Sequence, residues 1–118
     1  MLTTQGASAV LNALSQISRG WKARFNAGGV KLPQDYSIDP GYPQVGDKDP
    51  LNTGRGTEVL TWRVTVPRGI NLGQAEVREA EMLNDKNEPV YRVSLDTPFK
   101  PSMSFPTIIF INFALQKR

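Results

Sequence analysis

The chain has 118 residues, a formal net charge of +3 and a pI near 9.5. That length suits one domain with a single hydrophobic core, so we expect residues 1–118 to fold as one unit. Cysteine and histidine are both absent, which excludes disulfides, thiolate metal ligands and Ser-His or Cys-His catalysis. We therefore predict a non-enzymatic protein with no catalytic, cofactor-binding or metal-binding residues.

Residues 1–20 are predicted to form a helical arm. Thr3 or Thr4 can cap a helix over residues 4–18, and Gly20 stands where a left-handed C-cap is expected. Its apolar face comprises Ala7, Val10, Leu11, Leu14 and Ile17. The start lacks a basic stretch before a continuous apolar run, so we expect no signal peptide and no membrane association. The helix either docks on a partner or packs on the domain's own sheet.

A short strand is predicted after the helix, and Gly28-Gly29 ends it. Trp21 and Phe25 alternate with Lys22 and Arg24, a pattern typical of a half-exposed strand. Aromatic and basic residues together suit single-stranded nucleic acid, but alternation places them on opposite faces of a strand. We therefore do not expect nucleic acid as a partner.

Residues 26–56 are rich in proline and glycine and are predicted to form a long irregular loop. The loop carries more apolar residues than a plain linker, and we expect them to pin it across its own sheet or onto a neighbouring subunit. These residues are Tyr36, Ile38, Tyr42, Val45 and Leu51.

Residues 57–116 are predicted to supply the strand core. Thr57 to Val66 alternates as an amphipathic strand with Trp62 in the core. Residues 75–83 have helical propensity, but the turn signal at residues 84–87 and the strand pattern at 90–95 favour a hairpin. On that hairpin Glu79 and Glu81 would share one face, which we interpret as a solvated or salt-bridged face.

The most apolar run of the chain lies near its end, at residues 108–115, after a proline-rich crossing segment at 97–106. Because this run is apolar on both faces of a strand, we predict a central strand covered on both sides. The predicted core is Trp21, Phe25, Trp62 and residues 108–115. The sequence thus predicts a mainly β fold, an antiparallel β-sandwich of jelly-roll or immunoglobulin-like type, with one N-terminal helix and the long loop.

The order of these parts resembles the N-terminal domains of tail fibres from tailed bacteriophages. The resemblance lies in LTTQGASAVLNALS, RFNAGG, VLTWRVTVP, VREAEMLNDKNEPVYRVSL and the lysine-proline of FKPSMSFPTIIFINFALQ. The segment FPTIIFINFALQ also resembles the closing strand of jelly-roll vertex proteins from tailless phages. Such fibre domains continue into a trimeric shaft, whereas this sequence ends at Arg118, so we expect a free-standing subunit.

The resemblance implies a virion structural protein, assembled in the host cytoplasm, and our first hypothesis is a capsid decoration or cement subunit. Its partners would be the major capsid protein or tail or baseplate proteins, and we expect a homo-oligomer, either a dimer or a trimer. The arm and the loop would make the contacts, through Leu2, Val10, Leu14, Tyr36, Tyr42 and Leu51. A tail-fibre or baseplate adaptor is the alternative, and a small nucleic-acid-binding domain is the third.

Overall fold

A computed structural model describes residues 3–48, 57–73 and 75–116. It contains one N-terminal helix and two antiparallel sheets, which confirms the predicted mainly β sandwich class. The helix is α1 (Thr4–Ile17), followed by a 3-10 turn (Ser18–Gly20). The strands are β1 (Lys22–Ala27), β2 (Val30–Lys31), β3 (Tyr36–Ser37), β4 (Gln44–Lys48), β5 (Thr57–Val66), β6 (Val77–Leu83), β7 (Pro89–Phe99) and β8 (Thr107–Gln116).

The strands form one five-stranded sheet and one three-stranded sheet. The first has the strand order β2-β1-β6-β7, with β3 also paired to β1, and the second has the order β4-β5-β8. All of the pairings are antiparallel. Consecutive strands β7 and β8 belong to different sheets, so the segment between them crosses from one sheet to the other, as predicted. Among the described strands, β7 is an end strand of the first sheet and β8 is an end strand of the second.

The core lies between the sheets and under the helix. Its largest fully buried side chains include Trp62, Phe25, Leu11, Leu60 and Met82. Trp62 stacks on Trp21 with ring centroids 6.3 Å apart, and Phe25 meets Phe99 edge to face at 5.7 Å. The predicted core positions of Trp21, Phe25 and Trp62 are therefore confirmed.

The helix begins as predicted and packs on the domain's own sheet. Thr3 is the N-cap, and its Oγ1 accepts a hydrogen bond from the Gly6 N–H at 3.0 Å. Ala7 and Leu11 are fully buried, and the Ser8 hydroxyl donates to Glu58 on β5 at 3.0 Å. Own-sheet packing, one of the two alternatives drawn from the sequence, is therefore what the structure contains.

The predicted left-handed C-cap at Gly20 is wrong. The helix ends at Ile17, and the cap is Ser18 with φ −92°, whose N–H bonds to the Leu14 carbonyl. A 3-10 turn then tightens the chain before β1. The helix therefore ends at a serine with a buried side chain rather than at a glycine.

Within residues 26–56 the described part combines irregular connections with the end of β1 and three short strands. The turn between β1 and β2 has Gly28 at φ +60° and Gly29 at φ +94°, a conformation that suits a two-residue hairpin loop. Tyr36 and Ile38 are buried in the common core, and Tyr42 and Val45 pack against it. The described part of this segment is thus pinned across its own sheets, one of the two predicted alternatives.

The predicted hairpin of residues 75–83 and 90–95 is confirmed by β6 and β7, so tertiary pairing overrides helical propensity. β7 is longer than expected, however, and extends through Pro98 to Phe99. A proline has no N–H to donate, and it is tolerated here because β7 lies at the end of its sheet.

The prediction that residues 108–115 form a central strand covered on both sides is wrong. Among the described strands, β8 pairs only with β5, over ten consecutive residue pairs. Ile111 is buried, and Ile109, Phe113 and Leu115 pack partly on the core. Ile108 and Phe110 lie on the outer face and are 54% and 53% exposed.

Candidate interaction surface

The sandwich is open along one side, where β7 and β8 face each other from different sheets. A groove of about 330 Å³ lies there, lined by Leu95 and Phe99 of β7 and by Ile108, Ile109 and Phe110 of β8. It continues into a smaller groove of about 150 Å³ that ends near Asn112. Along this groove Leu95 and Phe99 of β7 and Ile109 of β8 are therefore only partly buried.

No described strand pairs with the edge of β8 that faces away from β5. The Tyr91 hydroxyl on β7 donates to the Asn112 carbonyl at 3.1 Å, so this carbonyl points away from β5. In an antiparallel strand both backbone groups of one residue point to the same side, and the side alternates along the chain. Ile108 and Phe110 therefore also direct their N–H and C=O groups toward the free edge of β8.

The Tyr91 contact belongs to an aromatic series at the end of this groove. The Tyr91 ring lies 5.3 Å from Phe113 and 6.0 Å from Trp62 between centroids. Burial raises the pKa of Tyr91. The neutral phenol is the form that donates to Asn112, and this bond and the ring contact with Phe113 join β7 to β8.

On the outer face of the β4-β5-β8 sheet, a salt bridge and a cation–π contact lie beside Phe110. The Arg63 guanidinium lies 4.7 Å above the Tyr42 ring centroid, and its Nε bonds to Asp39 at 3.0 Å. The Tyr42 ring in turn meets Phe110 edge to face, with centroids 6.3 Å apart. Because Arg63 and Asp39 neutralise each other, the surface around Phe110 presents aromatic area without a net charge.

Two further exposed apolar residues lie in the segment that leads into β8. Met103 is 60% and Phe105 is 72% exposed. Their backbone is ordered by Ser102, whose hydroxyl accepts from the N–H groups of Ser104 and Phe105 and whose carbonyl accepts from the Gly69 N–H. The concentration of exposed apolar side chains on residues 103–110 marks a candidate interaction surface.

The outer face of the other sheet is built differently, from paired charges. Glu81 is only 6% exposed, and it accepts from Asn26 at 3.2 Å and faces Arg92 at 3.4 Å. Arg24 donates two hydrogen bonds to the Asp35 carboxylate. These bonds and the negative charge of Asp35 raise the pKa of Arg24. The sequence-based interpretation of Glu81 as a salt-bridged residue is confirmed, and Glu79 beside it is exposed.

The structure does not gather the predicted partner-binding residues into one surface. Leu2 and Leu51 lie outside the described residues. Tyr36 is 7% exposed and belongs to the core, so it has little surface to offer a partner, and Leu14 and Tyr42 are half-buried. Val10 is exposed on the helix, as is Ile17.

Ile108 and Phe110 were not among the predicted contact residues. The sequence pattern assigned them to the core, because a run that is apolar on both faces is typical of a strand with two covered faces. One signal was available, however: the segment from Thr107 to Gln116 contains no charged residue, proline or glycine. Such a strand is either fully covered or an unprotected edge, and the sequence alone did not distinguish the two.

No protein-family model, curated protein or solved structure matches the chain. Within the described ranges, no group of three or more histidine, cysteine, aspartate or glutamate residues is placed to hold a metal ion. The helix that the structure describes is too short and too polar to cross a membrane.

Proposed function

We propose that this protein is a non-enzymatic assembly subunit that binds protein neighbours through the β8 edge. A single observation carries the proposal: β8 is a ten-residue end strand without charge, and its outer residues Ile108 and Phe110 are about half exposed. An exposed strand edge with apolar side chains is a template for pairing with another chain. Monomeric proteins normally blunt such an edge, so its exposure here favours an assembled state.

We further propose that the assembly is a bacteriophage virion, with the protein as a capsid decoration or cement subunit. This setting rests on the sequence resemblance to phage structural proteins. The contact residues differ from those first expected, since the helix packs on its own sheet and Tyr36 lies in the core. The proposed contacts are Ile108 and Phe110, with Val10 and Ile17 as a second apolar site on the helix.

The experiment is to measure the copy number of this protein against the major shell protein in purified particles, by quantitative mass spectrometry. A simple stoichiometric ratio supports the decoration role, and a few copies per particle support the tail-fibre or baseplate adaptor. Absence from particles contradicts the virion setting.

The same particles test the surface. Phe110→Lys introduces a charge at the centre of the β8 edge, and we expect it to reduce incorporation strongly. Val90→Lys is the matched control, because Val90 is 48% exposed and lies on a different strand. Equal incorporation of both variants would contradict a role for β8.

A further inference from the structure

The edges of the two sheets differ in how well they are protected. β2 and β3 have only two residues each, and β4 has five and carries Asp47 and Lys48. β7 contains Arg92 and Pro98 and pairs with β6 through register shifts. Short strands, charges, prolines and irregular pairing all hinder edge-to-edge association. β8 has none of these features: its register with β5 is unbroken over ten pairs. Among the described edges, β8 is therefore the one built for pairing.

We propose that the β8 edge binds a second copy of the same chain. The two β8 strands pair antiparallel about a two-fold axis at Phe110. This inference rests on the proposed role of β8 as an assembly edge and identifies its partner. A two-fold interface places one surface against itself, so the surface must be self-complementary.

The β8 edge meets that requirement in charge. With the axis at Phe110, Ile108 faces Asn112 of the second copy, and Phe110 faces its own equivalent. The strand from Thr107 to Phe113 contains no charged residue, so no like charges meet anywhere along the pairing. Pairing with a strand of different sequence would not require β8 to be neutral, because charges on β8 could then face opposite charges on the partner.

The edge meets the requirement in hydrogen bonding as well. Ile108, Phe110 and Asn112 direct their backbone groups outward, and the two-fold axis pairs each of them with another outward-directed residue. Such directly opposed residues exchange two N–H···O bonds in an antiparallel ladder. The Tyr91 hydroxyl uses only one lone pair of the Asn112 carbonyl, and the second remains available.

Pairing of this kind joins the sheets β4-β5-β8 of both copies into one continuous sheet. The two Phe110 rings then lie side by side on its outer face, each next to its own Tyr42. The nearest charges, Arg63 and Asp39, are paired within each copy, so they add little repulsion across the axis.

Cysteine cross-linking tests the axis directly, because the natural chain has no cysteine. Opposed residues of a hydrogen-bonded antiparallel pair have Cα atoms about 5.5 Å apart, within the range of a disulfide. We expect Phe110→Cys to give a covalent dimer on mild oxidation, seen on a denaturing gel and reversed by reductant. Val90→Cys and Lys86→Cys are controls at exposed positions outside β8, and both should stay mainly monomeric. Failure of Phe110→Cys to cross-link, or equal cross-linking of the controls, would overturn the inference.

Sedimentation or light scattering over a concentration series tests the dimer without any cross-link. We expect the wild-type chain to dimerise and Phe110→Lys to raise the dissociation constant by about tenfold or more, because two lysines would face each other. Ile108→Lys is a second edge variant, and Val90→Lys is the control. Circular dichroism and thermal unfolding establish that each variant is folded. A wild-type chain that stays monomeric at every concentration overturns the inference.

The two proposals fail in different ways. If the wild-type chain is monomeric while Phe110→Lys still loses incorporation into particles, β8 binds a different protein and only the second-copy inference falls. If the chain dimerises through Phe110 while incorporation is unchanged by Phe110→Lys, the second-copy inference holds and the particle-binding role of β8 falls.

Discussion

The indole Nε1 of Trp62 donates a hydrogen bond to the Ser18 hydroxyl at 2.9 Å, and both residues are fully buried. The bond joins the turn after α1 to the middle of β5, two segments 44 residues apart in the chain. Removing the acceptor would leave a buried N–H without a partner, which costs about 1–3 kcal/mol. We therefore expect Ser18→Ala to lower the free energy of unfolding by about that amount, measured by urea denaturation.

Ser15→Ala is the matched control, since Ser15 lies in α1 and is only half-buried. Alanine has higher helix propensity than serine, so this variant should be neutral or slightly more stable. A Ser18→Ala variant as stable as Ser15→Ala would show that the Trp62 bond contributes little to the fold.

The Asp39 carboxylate gathers two groups of β5 on the outer face. Arg63 Nε lies 3.0 Å from it and the Thr65 hydroxyl donates to it at 2.7 Å. We expect Asp39→Ala to lower the free energy of unfolding by about 1–3 kcal/mol, because hydrogen bonds to a charged group are lost. Denaturant unfolding measures the change. Asp85→Ala removes an exposed carboxylate in a turn and should stay within about 0.5 kcal/mol of the wild type; a similar loss in both variants would contradict the role of Asp39.

Much of the fold follows from local sequence signals. The Thr3 cap, the alternation of β5 and the turn signal at residues 84–87 each depend on residues close in sequence, and each prediction was confirmed. The partner of the Trp62 indole could not be predicted in this way, because Ser18 reaches Trp62 only through the docking of α1 on β5.

The candidate surface was the least predictable part, for a physical reason. An apolar strand sequence indicates that its side chains are covered from water. It does not indicate whether the same chain or another chain covers them. Ile108 and Ile109 are indistinguishable by type, yet Ile109 packs on the core and Ile108 is exposed. That difference arises because successive side chains of a strand point to opposite faces of the sheet, and no described residue buries the outer face at Ile108.

The turn between β6 and β7 contains a residue with left-handed backbone. Asn87 has φ +61°, and its N–H bonds to the Asn84 carbonyl at 2.9 Å. A side chain with a Cβ is strained there by about 1–2 kcal/mol, and glycine is not. We expect Asn87→Gly to be more stable than Asn87→Ala by about that amount, with the wild type between them, in thermal unfolding.

Position 86 provides the control for that comparison. Lys86 does not have a positive φ, so glycine there gains nothing and should be less stable than alanine. Glycine that stabilises both positions equally would show that the effect is not the left-handed backbone of Asn87.

Replacing tyrosine by phenylalanine should change the free energy of unfolding in opposite directions at positions 36 and 91. The Tyr36 hydroxyl is buried and has no hydrogen-bond partner among the described residues, whereas the Tyr91 hydroxyl donates to Asn112. Burying an unpaired hydroxyl costs about 1–3 kcal/mol, and a satisfied bond contributes about 0.5–1.5 kcal/mol. At neutral pH we therefore expect Tyr36→Phe to raise the free energy of unfolding and Tyr91→Phe to lower it.

Alkaline pH adds a second difference. Burial raises the pKa of both tyrosines above the ordinary value of 10.0, and Asp35 adds to the effect at Tyr36. Above pH 10 the unfolded chain then loses these protons before the folded chain does, so stability falls as pH rises toward the folded pKa values. Each phenylalanine variant removes one such group and should lose less stability than the wild type between pH 9 and pH 11. The measurement is the difference in the free energy of unfolding between variant and wild type at each pH, because contributions common to both chains cancel. A difference that stays constant across this range would contradict the raised pKa values.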